Sequence, residues 1–105
     1  MKYTGNEDHS ISLSEAAELT ANYRASFTDN AYIKAEYFGK DAIIELLNQS
    51  NCVGVRVYYG LDTNGVKRLV LTGVDGEGND LYEGTLMERG VICPPYCALE
   101  NPLNS

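Results

Sequence analysis

Val53-Gly54-Val55-Arg56-Val57-Tyr58-Tyr59-Gly60-Leu61-Asp62-Thr63-Asn64-Gly65, continued by Val66-Lys67-Arg68-Leu69-Val70-Leu71-Thr72-Gly73-Val74-Asp75-Gly76-Glu77-Gly78, is rich in β-branched and aromatic residues and broken by two Gly-x-Asp-x-x-Gly clusters. Alternation of this kind, bounded by turn residues, reads as consecutive antiparallel strands. The two clusters lie thirteen residues apart, which is one strand and one turn. Asp opens such a turn by accepting hydrogen bonds from its own backbone, and Gly takes the left-handed conformation that closes it.

Turn length fixes register, and register fixes which face each side chain occupies. A three-residue loop of Thr63, Asn64 and Gly65, a type I turn with a glycine bulge, sets Tyr59 opposite Leu69 and Val57 opposite Leu71, so that the four share a face. For the second hairpin, a four-residue loop of Gly76 to Asn79 sets Leu69 opposite Leu86 and Leu71 opposite Gly84. The inner face then carries Val53, Val55, Val57, Tyr59, Leu69, Leu71, Tyr82 and Leu86. The outer face carries Arg56, Tyr58, Arg68, Val70, Thr72, Val74, Leu81, Glu83, Thr85 and Met87.

Upstream, Ser12-Leu13-Ser14-Glu15 is a capping box, in which Ser and Glu satisfy each other's backbone donors at a helix start. Leu13, Ala16, Ala17, Thr20, Tyr23 and Phe27 follow at helical spacing, which predicts a helix to about Ser26. Thr28-Asp29-Asn30 reads as a break, and residues 31–38 fit strand and helix alike. Asp41 to Leu47 is apolar at helical spacing with an acid in its first turn, and this helix is expected to end between Asn48 and Asn51. The expected fold is therefore α+β, with two N-terminal helices packed on one face of a three-stranded antiparallel meander. Along a single domain of 105 residues this gives an N-terminal segment (1–10), a helical half (11–51), a sheet (52–88) and a Pro/Cys tail (89–105).

Composition limits the partners. Eight Lys and Arg against fifteen Asp and Glu leave a net charge of −7, which repels nucleic acid and anionic membranes. The polar N-terminal stretch lacks the apolar run of a secretory signal, and nothing approaches a membrane span, so a cytoplasmic location is expected. Three cysteines do not suggest a disulfide framework.

The sharpest chemical motif is Cys93-Pro94-Pro95-Tyr96-Cys97, whose two thiols could share a metal or join as a disulfide. Zinc would need further ligands, and the remaining candidates are Cys52 and His9, with an Asp or Glu also able to serve. The acidic turn of Asp75, Glu77, Asn79 and Asp80 fails the EF-hand pattern, because Asp80 and Leu86 stand where Gly and Glu are required. His9 has no nucleophile or oxyanion motif beside it, and nothing selects a carboxylate pair, so catalysis is not expected and no cofactor is implied.

The strand segments Val53 to Gly60 and Leu69 to Asp75, with the Cys-Pro-Pro-x-Cys tail and Asn101-Pro102-Leu103-Asn104, make the chain resemble a group of small uncharacterised bacterial proteins, a resemblance that implies no activity. A second likeness, to A-type iron–sulfur scaffold proteins, rests on the helix cap and the paired-cysteine tail. It fails where those proteins present a ligand cysteine after the first strand, since Tyr59, Gly60 and Leu61 stand there.

The expected function is a non-enzymatic interaction module, self-associating as a homodimer or binding a protein partner through the mixed polar and apolar outer face. Its contact residues would be Arg56, Tyr58, Arg68, Val70, Glu83 and Met87. The rivals are a thiol or metal site at Cys93 and Cys97, and a small-ligand cavity between helices and sheet near Tyr59 and Tyr82.

Overall fold

A computed structural model describes residues 2–27 and 32–104. In chain order the elements are helix α1 (Leu13–Ala25), strand β1 (Ala35–Tyr37), helix α2 (Lys40–Leu47), and strands β2 (Gly54–Leu61), β3 (Lys67–Val74), β4 (Leu86–Met87) and β5 (Val91–Cys93). Strands β2, β3 and β4 form one antiparallel sheet in that order, and β1 pairs with β5 in a separate two-stranded sheet. No helix among the described residues is long and apolar enough to cross a membrane.

The first hairpin has the expected register, with Val57 opposite Leu71 and Tyr59 opposite Leu69. Its cause is visible at Asp62, whose Oδ1 accepts the backbone N–H groups of Asn64 (2.8 Å) and Val66 (2.9 Å). Gly65 closes the turn at φ +78° and donates to the Asp62 carbonyl. The second turn repeats this device: Asp75 Oδ1 accepts from Glu77 and Asn79, and Gly78 sits at φ +87°.

The pairing beyond that second turn differs from expectation. Leu71 lies opposite Met87 and Thr72 opposite Leu86, a slip of three residues from the anticipated Leu71–Gly84 pairing. Two causes combine. The turn is one residue shorter, since Asn79 already bonds back to Asp75. After a single bridge between Val74 and Asp80, the chain makes another turn in which Gly84 donates to the Leu81 carbonyl. An odd slip exchanges the faces of a strand. Met87 therefore joins the inner face at 9 % exposure, while Leu86 and Tyr82, expected inside, are exposed.

The inner layer is α2 alone. Leu46 is fully buried against Leu71 and Met87, with Phe38, Ile43, Cys52 and Leu69 around them. Gln49 fastens the end of α2 to the sheet: its Nε2 donates to the Leu46 carbonyl and its Oε1 accepts the Thr85 N–H at 2.8 Å. A Cβ at Gly73 would come within 2.9 Å of both Cys52 Sγ and Gln49 Nε2, so this strand position admits only glycine without a shift.

The expected packing of both helices on one face of the three-stranded sheet is not formed. The capping box of α1 is present, with Ser12 and Glu15 in their reciprocal roles, yet no residue of α1 is buried. The helix instead leans on neighbouring loops, through Tyr23 Oη donating to the Ile33 carbonyl (2.8 Å) and Arg24 Nη1 donating to the Leu103 carbonyl (2.7 Å). Two physical reasons account for this. The partly buried positions of α1 are Ala16, Ala17, Thr20, Tyr23 and Arg24, of which Tyr23 alone offers a large apolar surface, so docking brings little apolar area. With β4 paired over only two residues, the inner face is narrow, and α2 covers it around Leu69, Leu71 and Met87 without extending over β2. Val55, Val57 and Tyr59 are in consequence exposed rather than covered.

The ambiguous stretch before α2 resolves as β1, paired with the tail through Ala35–Cys93, Glu36–Ile92 and Tyr37–Val91. The break expected at Thr28-Asp29-Asn30 lies outside the described residues. From β1, Glu36 reaches the sheet where β4 no longer pairs with β3. Its Oε1 accepts the Leu69 N–H at 3.0 Å, taking the place of a ladder carbonyl. Its Oε2 lies 3.4 Å from Arg68 Nη2, with the Glu36 side chain only 2 % exposed. Arg68 also donates to the Gly90 carbonyl (2.9 Å) and faces Glu88 (3.3 Å). Gly90 is required here, since a Cβ would stand 2.7 Å from the Glu36 carboxylate.

Removing the Glu36 carboxylate leaves the Leu69 N–H without its acceptor, at a cost of about 1–3 kcal/mol, while Arg68 keeps Glu88 and the Gly90 carbonyl. Urea unfolding of Glu36→Ala should show a loss of about that size, and Glu36→Gln, which keeps an acceptor for Leu69, a smaller one. Equal losses for the two variants would contradict the assignment.

Candidate interaction surface

The residues expected on the outer face are not one surface. Arg56 and Tyr58 come together, and what joins them is Asp80. Arg56 Nη1 donates to Asp80 Oδ1 (2.6 Å) and to the Gly78 carbonyl (3.1 Å), and the Tyr58 hydroxyl donates to Asp80 Oδ2. Asp80 owes its place to the bridge with Val74, which puts it across β3 from the two β2 side chains. Beneath this cluster Thr72 and Val74 are buried, and Val70, opposite Tyr58, is partly buried.

The remaining predicted residues lie elsewhere. Arg68 is held by Glu36, Glu88 and Gly90; Glu83 is in the exposed turn between Leu81 and Gly84; Met87 is in the core. Part of the outer face is also reached by the chain itself, because the Tyr3 N–H donates to the Gly76 carbonyl (2.9 Å) and Lys2 pairs with Glu77.

The cluster is electrostatically self-satisfied. The Tyr58 hydrogen bond, with the Arg56 hydrogen bond and charge, holds the Asp80 carboxyl below its usual range despite some desolvation. The same hydrogen bond to Asp80 holds the Tyr58 phenol above its usual value, aided by desolvation, and contact with Asp80 raises the Arg56 guanidinium. A contact surface built on these groups would have to disrupt them.

The unsatisfied part of the sheet is its rim. Strand β2 is outermost, paired only with β3. The Asp62 N–H bonds to the Val66 carbonyl, so even-numbered positions of β2 bond to β3 and the odd-numbered ones point away from it. Val55, Val57, Tyr59 and Leu61 thus turn their backbone N–H and C=O groups to the open edge, and among the described residues no backbone group of another segment bonds them. Their side chains are exposed as well, Tyr59 to 82 % and Leu61 to 73 %. The N-terminal arm approaches this rim at Val53, where a Cβ on Gly5 would fall 2.8 Å from the Val53 carbonyl, and further along it leaves a groove bordered by Glu7 and His9. Natural sheets usually guard such an edge with charge, proline or a bulge. Here the one charged side chain of β2, Arg56, is already engaged.

In the tail, Cys93 and Cys97 are joined as a disulfide with Cα atoms 4.8 Å apart, while Cys52 is free and its thiol donates to the Gly54 carbonyl. No cluster of His, Cys, Asp or Glu suited to a metal occurs among the described residues. The cavity expected near Tyr59 and Tyr82 is not formed, both rings being exposed. An apolar groove of about 250 Å³ lies instead among Leu19, Tyr23, Ile33, Ala35, Leu69 and Leu103.

No protein-family model, curated protein or solved structure matches the chain.

Asp80 and the β2 edge are the features that sequence reading missed. Asp80 was legible only as one acid of a solvated turn, because its role depends on the Val74 bridge. The edge residues carry a signal, an alternating apolar set, but alternation by itself places such a set on a covered face.

A carboxyl depressed in the folded state contributes stability that is present above its unfolded pKa and is lost as pH falls through the folded value. Asp80→Asn should therefore flatten the fall of the melting temperature that sets in below about pH 5 and continues to about pH 2. An unchanged acid limb would exclude the cluster as a stabilising unit. Thiol titration of unfolded, unreduced protein should find one free thiol, Cys52, and three after reduction; three before reduction would refute the disulfide.

Proposed function

We propose that this chain is a small non-enzymatic interaction module whose contact element is the free edge of β2. The observation that carries this reading is the run of outward backbone groups on Val55, Val57, Tyr59 and Leu61, flanked by exposed apolar side chains. Strand addition to an open edge takes its affinity from main-chain hydrogen bonds and its selectivity from alternate side chains, and β2 offers both. The mixed outer face is set aside as the contact, since Met87 is core, Arg68 is bound internally, and Arg56 and Tyr58 are held by Asp80.

A second reading, a dithiol–disulfide couple, is favoured by one observation: Cys93 is buried while its partner Cys97 is exposed and open to attack by an external thiol. It bears on location too, since a reducing cytoplasm works against a standing disulfide. Thiol trapping in intact cells separates the cases: a disulfide in every molecule would argue against the cytoplasm, and partial oxidation would argue for a couple.

The edge reading is tested with a photo-crosslinking residue at Tyr59, with Tyr82, another exposed tyrosine but off the edge, as control. Adducts to protein should form from position 59, fall with Val57→Pro, and be absent from position 82. Equal yields at both positions, or none at 59, would defeat it.

A further inference from the structure

Resting on the edge reading, we infer that the occupant of the β2 edge is a second copy of this chain, paired antiparallel about a two-fold axis at Tyr58. The spacing of the outward groups selects this arrangement. They fall at positions 55, 57, 59 and 61, and an antiparallel copy centred on Tyr58 sets Val55 against Leu61 of the second copy and Val57 against its Tyr59. In that register every outward residue meets another outward residue, so each N–H finds a carbonyl. Centring on Val57 or Tyr59 leaves one outward residue per copy unpaired, and an even-to-odd register sets outward groups against inward ones.

The side chains agree with that register. On one face the pairs are Val with Leu and Val with Tyr, the aromatic and branched combinations that stabilise antiparallel neighbours. On the other face Tyr58 meets its own symmetry mate, and Arg56 faces Gly60 of the second copy, diagonal to that copy's Asp62. A chain of net charge −7 repels its copy at long range, yet within β2 itself no like charges meet, because the strand contains no acid and its arginine is paired with Asp80; the acid beside it is Glu7 of the N-terminal arm. A groove between β2 and the N-terminal arm runs past Val55 and Val57, and in this register the incoming strand enters it beside the arm. The product is a continuous six-stranded sheet in which both β2 edges are closed.

The register gives a position-specific test. Across the axis Tyr58 is a non-hydrogen-bonded pair, with Cα atoms about 4.5 Å apart, within reach of a disulfide. In a Cys52→Ser background, Tyr58→Cys should yield a covalent dimer under mild oxidation and Tyr59→Cys should not, although Tyr59 is the more exposed. Sedimentation of the unmodified chain across the micromolar range should show a monomer–dimer equilibrium. Val57→Pro should weaken it about tenfold or more, since the N–H it removes points away from β3 and its loss leaves the fold intact. Equal covalent dimer from both cysteine variants, or from neither, overturns the inference. A chain that stays monomeric while Tyr59 crosslinks to other proteins also overturns it and leaves the edge reading standing. Loss of crosslinking at Tyr59 together with a monomer removes both.

Discussion

The Asp62 carboxylate, by taking the N–H groups of Asn64 and Val66, decides the geometry on which the rest of the sheet depends. It ends β2 and starts β3 at a defined pair, and from that pair the parity of the whole ladder follows. Parity then determines which side chains meet α2, which reach Asp80, and which backbone groups of β2 have nowhere to bond. One local side-chain-to-backbone interaction thus sets a property of an edge that extends along the full strand.

The other side of the sheet solves the same bonding problem with side chains. Strand β4 is too short to serve all of β3, and the Glu36 carboxylate from the separate β1–β5 sheet takes the Leu69 N–H in its place. Burying that carboxylate calls for Arg68, and Arg68 in turn organises the Glu88 to Gly90 link. Between the two rims of β3 there is accordingly a clear difference. One is closed by an ion-paired acid under a glycine, and the other leads to β2, whose far edge is left open.

Legibility from sequence followed the range of the interactions. The first hairpin could be read to the exact pair because its turn and its register are local, set by Asp62, Gly65 and a clean alternation. The capping box of α1 was readable for the same reason. The second hairpin was not, since the turn between Leu81 and Gly84 leaves no strong local signal, and its odd slip carried Met87 from an expected contact surface into the core. Pairing of β1 with β5 joins segments more than fifty residues apart, about which alternation over three residues says little. Alternation also showed that Val55, Val57 and Tyr59 share a face, without showing what covers it; that depended on α1, which meets β3 through Tyr23 and the Lys67 ammonium and leaves the β2 residues exposed.

The account stands or falls on the parity of β2, which residue-resolved hydrogen exchange reads directly. In dilute protein the N–H groups of Arg56, Tyr58 and Gly60, bonded to β3, should exchange slowly, and those of Val55, Val57 and Tyr59 should exchange fast and become protected as concentration rises. Slow exchange at the odd positions in dilute protein would contradict that parity, and fast exchange there at every concentration would contradict self-pairing while leaving the parity intact.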